Sequence, residues 1–120
     1  MKLQPAVPVL RIFDVKLAKA HYLDWLGFKL VWQHHSEPEG PCCMEVSRDA
    51  AVLHLTEHYG DGSPGVKVYI QTDDVEAYHR ELSSRPNPRM RPGVEVEPWG
   101  EKSMCVIDPF GNRVYFNQKI

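Results

Sequence analysis

The residues with the most chemical capability lie in one segment near the middle of the chain, Leu53-His54-Leu55-Thr56-Glu57-His58-Tyr59-Gly60-Asp61. Alternation along the strand that opens this segment puts His54 and Thr56 on one face. Glu57 and His58 follow at the strand end, where binding groups often collect. Imidazole and carboxylate groups in this arrangement can bind a divalent metal ion, with His54, Glu57 and His58 as the candidate ligands. The same groups can instead hold down the turn-rich loop that follows.

Two tryptophans are candidates for contact with a ligand. Trp99 lies between a proline and a glycine in Glu97-Pro98-Trp99-Gly100. It either stacks on a ligand or fills a gap at a sheet edge, and an indole suits a site that is apolar on one side and wet on the other. Alternation puts Trp32 and His34 on one face of an earlier strand, where they could line the ligand site or a subunit contact.

Aromatic and cationic residues alternate along two further predicted strands. Their cations could bind a carboxylate or a phosphate. The set comprises Lys67, Tyr69, Arg113 and Tyr115, which share a predicted concave face with Val7, Val9 and Arg11. His21 and His79 lie on predicted helices, where we expect solvated faces.

The elements that position these groups occur twice. In the first half, a strand at 6–12 precedes a helix that Asp14 caps and Gly27 ends, and three strands follow at 28–34, 42–48 and 51–57. In the second half, a strand at 66–71 precedes a helix capped by Asp73 or Asp74, and strands follow near 90–96, 103–107 and 113–118. The pattern predicts an α+β fold of two βαβββ repeats, with a cupped mixed β-sheet and helices on its outer face.

The bulk properties bound the class of protein. A chain of 120 residues fits a single domain, 1–120, with repeat one at about 5–59 and repeat two at about 65–118. The net charge of −2 is spread along the chain, which argues against a nucleic-acid surface. No apolar run could span a membrane, and the N-terminus lacks the pattern of a signal peptide, so we expect a cytoplasmic protein. The three cysteines are expected to be reduced thiols.

Several motifs resemble those of the glyoxalase/bleomycin resistance protein family, also called the vicinal oxygen chelate superfamily. They are the opening Val9-Leu10-Arg11-Ile12-Phe13-Asp14, the helix end Tyr22-Leu23-Asp24-Trp25-Leu26-Gly27-Phe28, the turn Asp108-Pro109-Phe110-Gly111-Asn112 and the Glu97-Pro98-Trp99-Gly100 segment. The last of these is similar to the proline-tryptophan-glycine of bleomycin-binding proteins, in which the tryptophan stacks on the flat heteroaromatic tail of the drug. The resemblance implies a two-fold homodimer with ligand sites at the subunit boundary.

The resemblance also locates the positions at which metal-dependent members carry ligands. In this chain those positions fall on Val7, His54, Gly65 or Val66, and Tyr115. Only His54 is an ordinary metal ligand, whereas a catalytic divalent site takes about three protein ligands. No cofactor is therefore expected, and the chain leans away from being an enzyme.

Three functional hypotheses remain from the sequence, and the third of them is a housekeeping binding module whose ligand is unrelated to antibiotics. The first is a non-catalytic protein that binds and sequesters a bleomycin-type antibiotic or a similar planar aromatic metabolite and so confers resistance. Its ligand-binding residues would be Trp99, Trp32, His54, Glu57, Tyr69 and Tyr115. The alternative is a metal-dependent enzyme of the same superfamily that acts on a small oxygenated substrate, with a divalent ion at His54, Glu57 and His58.

Overall fold

A computed structural model describes residues 1–120 and contains two consecutive units of the same design. Unit 1 comprises β1 (Val9–Arg11), helix α1 (Val15–Lys19) with a π-helical continuation (Ala20–Trp25), β2 (Lys29–His35), β3 (Cys42–Arg48) and β4 (Ala51–Thr56). Unit 2 comprises β5 (Lys67–Gln71), α2 (Val75–Ser83), β6 (Val94–Glu97), β7 (Glu101–Ile107) and β8 (Arg113–Lys119). Neither helix has the length and apolar character needed to cross a membrane.

The eight strands form two separate four-stranded sheets. Unit 1 has the strand order β1-β4-β3-β2 and unit 2 has the matching order β5-β8-β7-β6. In each unit the first strand pairs in parallel with the last, and the remaining pairs are antiparallel. The predicted α+β fold with two βαβββ repeats is therefore confirmed, and its β-structure is divided between two mixed sheets.

Both helices begin where the sequence predicts a capping carboxylate. Asp14 accepts a hydrogen bond from the Leu17 backbone N–H at 2.8 Å, and Asp74 accepts one from Ala77 at 2.9 Å. These bonds satisfy N–H groups that have no partner within the helix. The first helix widens into a π-helical turn over Ala20–Trp25 and ends before Gly27, whose φ of +79° suits glycine.

Two strands are shorter than the sequence predicts, and proline explains both cases. The strand expected at 6–12 pairs only over Val9–Arg11, because Pro5 and Pro8 have no N–H to donate to the ladder. The strand expected near 90–96 begins only at Val94, after Pro92 and Gly93. The predicted alternation in β4 is confirmed, since Leu53 and Leu55 are buried in the core.

A single hydrophobic core joins the two units. Nineteen buried apolar side chains form one cluster that includes Leu10 and Tyr22 of unit 1 and Met104 and Phe116 of unit 2. One side of each sheet contributes to this core, and the other side remains open. The chain is correspondingly flat, with extents of 46 × 45 × 23 Å. Its radius of gyration of 14.8 Å exceeds the value of about 13.6 Å expected for a compact chain of this length.

A buried polar network also links the units. The Tyr22 hydroxyl on the π-helical turn donates to Asp108 Oδ2 at 2.7 Å, and Asn112 donates to the same carboxylate through its backbone and side chain. The Asn112 amide also donates to the Arg11 carbonyl and accepts from the backbone of Gly65. The turn predicted at 108–112 thus holds unit 2 against the end of β1.

A second link is ionic and lies nearer the surface. Glu81 of α2 accepts two hydrogen bonds from Arg48 at the end of β3, at 2.6 and 2.7 Å, and a further one from Arg85. The two guanidinium groups, Arg48 foremost, lower the pKa of Glu81 to about 2. Arg85 in turn donates to the Trp25 carbonyl, and the Trp25 indole donates to the Arg85 carbonyl. The two helices are therefore fixed relative to each other.

Candidate functional site

The open side of each sheet carries the polar and aromatic groups that could bind a ligand. We call the open side of the first sheet the unit 1 face, which includes Val9, Arg11, Trp32, Glu45 and His54. We call the open side of the second sheet the unit 2 face, which includes Lys67, Tyr69, Glu101, Arg113 and Tyr115. Side chains alternate along strands, so residues paired in register share a face, as Glu45 does with Trp32 and His54.

An imidazole–carboxylate pair lies at the centre of the unit 1 face. His54 Nε2 is 2.9 Å from Glu45 Oε1, and the Trp32 ring meets the His54 ring edge-on with centroids 5.2 Å apart. Trp32 remains 41% exposed, so its outer surface is free for contact with another molecule. His34 shares this face and His35 lies opposite, as predicted. The contact with Glu45 holds the His54 ring in a fixed orientation, edge-on to the Trp32 indole.

The unit 2 face carries a pair of tyrosines beneath a lysine. Tyr69 and Tyr115 are partners in the β5–β8 register, and their ring centroids are 5.3 Å apart. The Lys67 ammonium lies 5.1 Å from the Tyr69 centroid and 4.9 Å from the Tyr115 centroid, within the range of a cation–π contact. Tyr69 is 54% exposed. This group offers a flat molecule both an aromatic surface and a positive charge.

Trp99 stands at the edge of the same face in the turn between β6 and β7. The Gly100 N–H donates to the Glu97 carbonyl, which closes a four-residue turn with proline at its second position. The Trp99 indole N–H donates to Glu101 at 2.6 Å while the ring stays 62% exposed. Glu101 also accepts from Gln71 at 3.0 Å, and these two hydrogen bonds, that of Gln71 first, lower its pKa. The indole is therefore anchored to the sheet with most of its surface open.

The polar groups after β4 serve the local structure. The Glu57 carboxylate accepts from the Cys42 backbone N–H at 3.0 Å. Asp61 accepts from the Thr56 hydroxyl at 2.9 Å, and the same hydroxyl oxygen accepts from the His58 backbone N–H. These bonds hold the loop, which was one of the two interpretations left open by the sequence. Glu57 remains a prediction as a ligand-binding residue.

The structure offers no place for the metal ion of the alternative hypothesis. No group of three or more His, Cys, Asp or Glu side chains is arranged to hold one. His54 is paired with Glu45, whereas Glu57 bonds the backbone of β3. The donor set expected at His54, Glu57 and His58 therefore does not fit a divalent ion.

The predicted ligand-binding residues form clusters on two different sheets. Trp32 and His54 meet on the unit 1 face, Tyr69 and Tyr115 meet on the unit 2 face, and Trp99 stands at the edge of the latter. Two clefts, of about 400 and 750 Å³, adjoin the helices, and none of these aromatic residues lines either one. Within one chain, each face is thus an open surface that no cleft encloses.

Sequence reasoning missed three polar residues and misplaced a fourth. Glu45 and Glu101 orient His54 and Trp99, and buried Asn117 has an amide Oδ1 without a hydrogen-bond partner. Alternation in β3 could have put Glu45 on the correct face, whereas Glu101 lies before the strand predicted at 103–107 and had no such signal. The expectation of a solvated His21 is wrong. Its side chain is 5% exposed against Tyr22, and burial lowers its pKa to about 4.

Known proteins with this architecture include several that bind antibiotics. A bleomycin resistance protein from Geobacillus stearothermophilus is 26% identical over 133 aligned residues, with 96% of each chain covered. A similar structure is that of a bleomycin-binding protein from Streptomyces verticillus in complex with copper(II)-bleomycin. Its TM-score is 0.70 and its sequence identity is 28%, and the alignment covers 97% of this chain and 96% of that chain. An antibiotic-binding protein from Streptomyces sp. CB03234 has a TM-score of 0.69 and 25% identity, with both chains fully covered.

A family model described as "Glyoxalase superfamily protein" matches residues 1–120. The match spans both βαβββ units and includes the turn at 108–112, in which Asn112 makes hydrogen bonds that link the two units. The repeated fold, the two open faces and this match over the whole length lead to one assignment: the chain belongs to the glyoxalase superfamily.

Proposed function

We propose that this protein binds and sequesters a bleomycin-type antibiotic or a similar planar aromatic metabolite, without chemical conversion, and so confers resistance to it. The observation that carries the proposal is the set of aromatic rings held on open sheet faces by hydrogen bonds and ring contacts. Trp99, Tyr69 and Trp32 each leave 41% or more of their surface exposed. Large exposed aromatics at fixed positions are typical of binding surfaces, because most other residues of this size are buried.

The names of the relatives support the same ligand class. The similar protein of Geobacillus stearothermophilus is a bleomycin resistance protein, and the similar structure from Streptomyces verticillus contains copper(II)-bleomycin. Each aligns with this chain over nearly its whole length. Sequestration requires a complementary surface and no catalytic group.

We infer that the functional unit is a homodimer in which each site combines the unit 1 face of one subunit with the unit 2 face of the other. The two faces of a single chain are open and the molecule is flat. Two-fold pairing would cover both faces at once and create two equal crevices. Since most ligand sites are concave and enclose their ligand, the pairing would turn two open surfaces into binding crevices. We assign this activity to the cytoplasm.

Within such a crevice the predicted residues would have distinct roles. Trp99 would stack on the flat part of the ligand, and Tyr69 or Trp32 would form a second wall. His54 and Tyr115 would supply hydrogen bonds, and Glu57 would contribute only if its bond to the Cys42 backbone were exchanged. The metal-dependent alternative is not favoured, because these residues do not form a set of ligands for a divalent ion.

The proposal is tested by calorimetric titration of the purified protein with metal-free and copper-loaded bleomycin. We expect saturable binding at about one drug per subunit with micromolar affinity or better. Trp99→Ala should weaken binding about fivefold or more, and Trp99→Phe should retain most of the affinity, because stacking contributes about 1 kcal/mol or more. Val96→Ala is the matched control, since Val96 is also exposed but pairs with Lys102 on the opposite side of the sheet.

Two outcomes would contradict the proposal. No heat with either form of the drug would exclude bleomycin-type ligands, and equal affinity for wild type and Trp99→Ala would exclude the stacking role. Sedimentation velocity on the same samples measures the oligomeric state, for which we expect a dimer.

A further inference from the structure

Two cations stand side by side on the unit 2 face without a counter-ion. Lys67 and Arg113 are direct partners in the parallel β5–β8 register, and both side chains are exposed. Neither takes part in any of the salt bridges of the chain. Like charges directly opposite each other on neighbouring strands destabilise a sheet. The sheet therefore holds two like charges side by side at this position, and a bound anion would neutralise them.

Three carboxylates of β6 and β7 share the unit 2 face, Glu95, Glu97 and Glu101, and none of them forms a salt bridge with Lys67 or Arg113. Glu101 pairs with Lys119, six residues along β8 from Arg113, which corresponds to roughly 20 Å. Its oxygens already accept hydrogen bonds from Gln71 and Trp99. At the near end, the buried Asp108 carboxylate is occupied by Tyr22 and the turn that follows. The Lys67–Arg113 pair thus keeps its charge free for an external group.

The surroundings of the pair add an aromatic surface to the charge. Lys67 Nζ is held 4.9 and 5.1 Å from the centroids of Tyr115 and Tyr69. Its pKa is raised further above neutral pH, chiefly by a hydrogen bond with Tyr69. An exposed tyrosine ring immediately beside two cations is complementary to a flat ring that carries a negative group.

We propose that the unit 2 face recognises planar aromatic ligands that carry an anionic group, a carboxylate, sulfonate or phosphate, which binds between Lys67 and Arg113 while the ring stacks on Tyr69. This inference rests on the proposed function and, within its ligand class, favours a planar aromatic metabolite with an anionic group over bleomycin, because two cations fit poorly with a strongly cationic drug. A competing occupant is a carboxylate of the partner subunit, for which Glu45 on the unit 1 face is the candidate. Glu45 is already paired with His54 at 2.9 Å, which favours the small anion.

A matched pair of fluorescent probes tests the charge requirement directly. Anilinonaphthalene sulfonate carries a sulfonate on the same ring system as the neutral phenylnaphthylamine. We expect wild-type protein to bind the sulfonate about tenfold or more tightly than the neutral probe at low salt, as a charge-assisted contact predicts. The double variant Lys67→Gln/Arg113→Gln should bind both probes within about threefold of each other. Arg80→Gln is the control, because Arg80 is an exposed cation of helix α2, away from both open faces, and takes part in no salt bridge.

The outcomes separate this inference from the proposed function. Equal binding of the two probes by wild type, or a preference for the sulfonate that survives in the double variant, would overturn the inference. Binding of bleomycin without binding of the sulfonate would overturn it as well and leave the proposed function standing. If wild type bound neither the two probes nor bleomycin, both this inference and the proposed function would be wrong. A double variant that loses its dimeric state while keeping the preference would assign the two cations to the subunit contact instead.

Discussion

Removal of the Tyr22 hydroxyl should loosen the junction between the two units. Tyr22 is fully buried, and its hydroxyl is one of four donors to the Asp108 carboxylate, which is 5% exposed. The other three donors are the Phe110 N–H and the backbone and side chain of Asn112. Tyr22→Phe removes one hydrogen bond to a buried charged group and leaves the carboxylate one donor short. Bonds of this kind contribute about 1.5–3 kcal/mol, so we expect a loss of about 2 kcal/mol in the free energy of unfolding.

Urea denaturation monitored by tryptophan fluorescence measures this loss, and buried Trp25 provides the signal. For a chain of this length the same loss lowers the melting temperature by about 8 °C. Tyr59→Phe is the control, because Tyr59 is 95% exposed and the loss of its hydroxyl should cost less than about 0.5 kcal/mol. If Tyr22→Phe behaved like the control, the Tyr22–Asp108 bond would contribute nothing to stability and the junction would depend on packing alone.

Two further predictions concern the helices. Burial lowers the pKa of His21 to about 4, below the unfolded value of 6.5, so the unfolded chain takes up a proton first and stability falls as pH drops from about 6.5 towards 4. Urea denaturation of wild type at pH 7 and pH 4 measures this fall in the free energy of unfolding, and His21→Phe should make the fall smaller by about 2–3 kcal/mol. If the variant kept the same pH dependence as wild type, the lowered pKa of His21 would be wrong. Gly27→Ala should destabilise by about 1 kcal/mol more than Gly60→Ala in the same assay. Both glycines have positive φ, but only at Gly27 would the added Cβ meet a neighbour, Arg48 Nη1 at 2.6 Å. Equal losses would mean that the Arg48 side chain moves aside without cost.

The features that the sequence predicted correctly are local ones. Asp14 caps α1, Gly27 ends the helical segment and the segment after Asp108 makes a turn, because each conformation is decided by a few adjacent residues. Alternation likewise assigned His54 and Tyr115 to the open faces, since the period of a strand is two. Patterns within about five residues were therefore sufficient for the order of elements and for which side each residue occupies.

The features that the sequence could not predict depend on contacts between distant residues. The Tyr22–Asp108 bond spans 86 positions, and the Glu45–His54 pair requires the register of two strands. His21 is a different case, because Ala18 and Trp25, three residues before and four residues after it, are also buried, and this spacing puts all three on one face of a helix. Its expected exposure followed from its residue type alone. Glu57 was assigned to ligand binding because its place at a strand end does not reveal that its carboxylate bonds the β3 backbone.

The division of the aromatic residues between two sheets has a consequence for how function can be restored. In the proposed dimer, a Trp32→Ala subunit is defective only through its first sheet and a Trp99→Ala subunit only through its second. When the two defective chains are mixed and reassembled, each mixed dimer contains one site with both defects and one site with none. Half of the dimers would be mixed, so about one quarter of the binding capacity should return, although neither parent binds well alone. Coexpression of two sensitive alleles would then protect a cell that neither allele protects by itself.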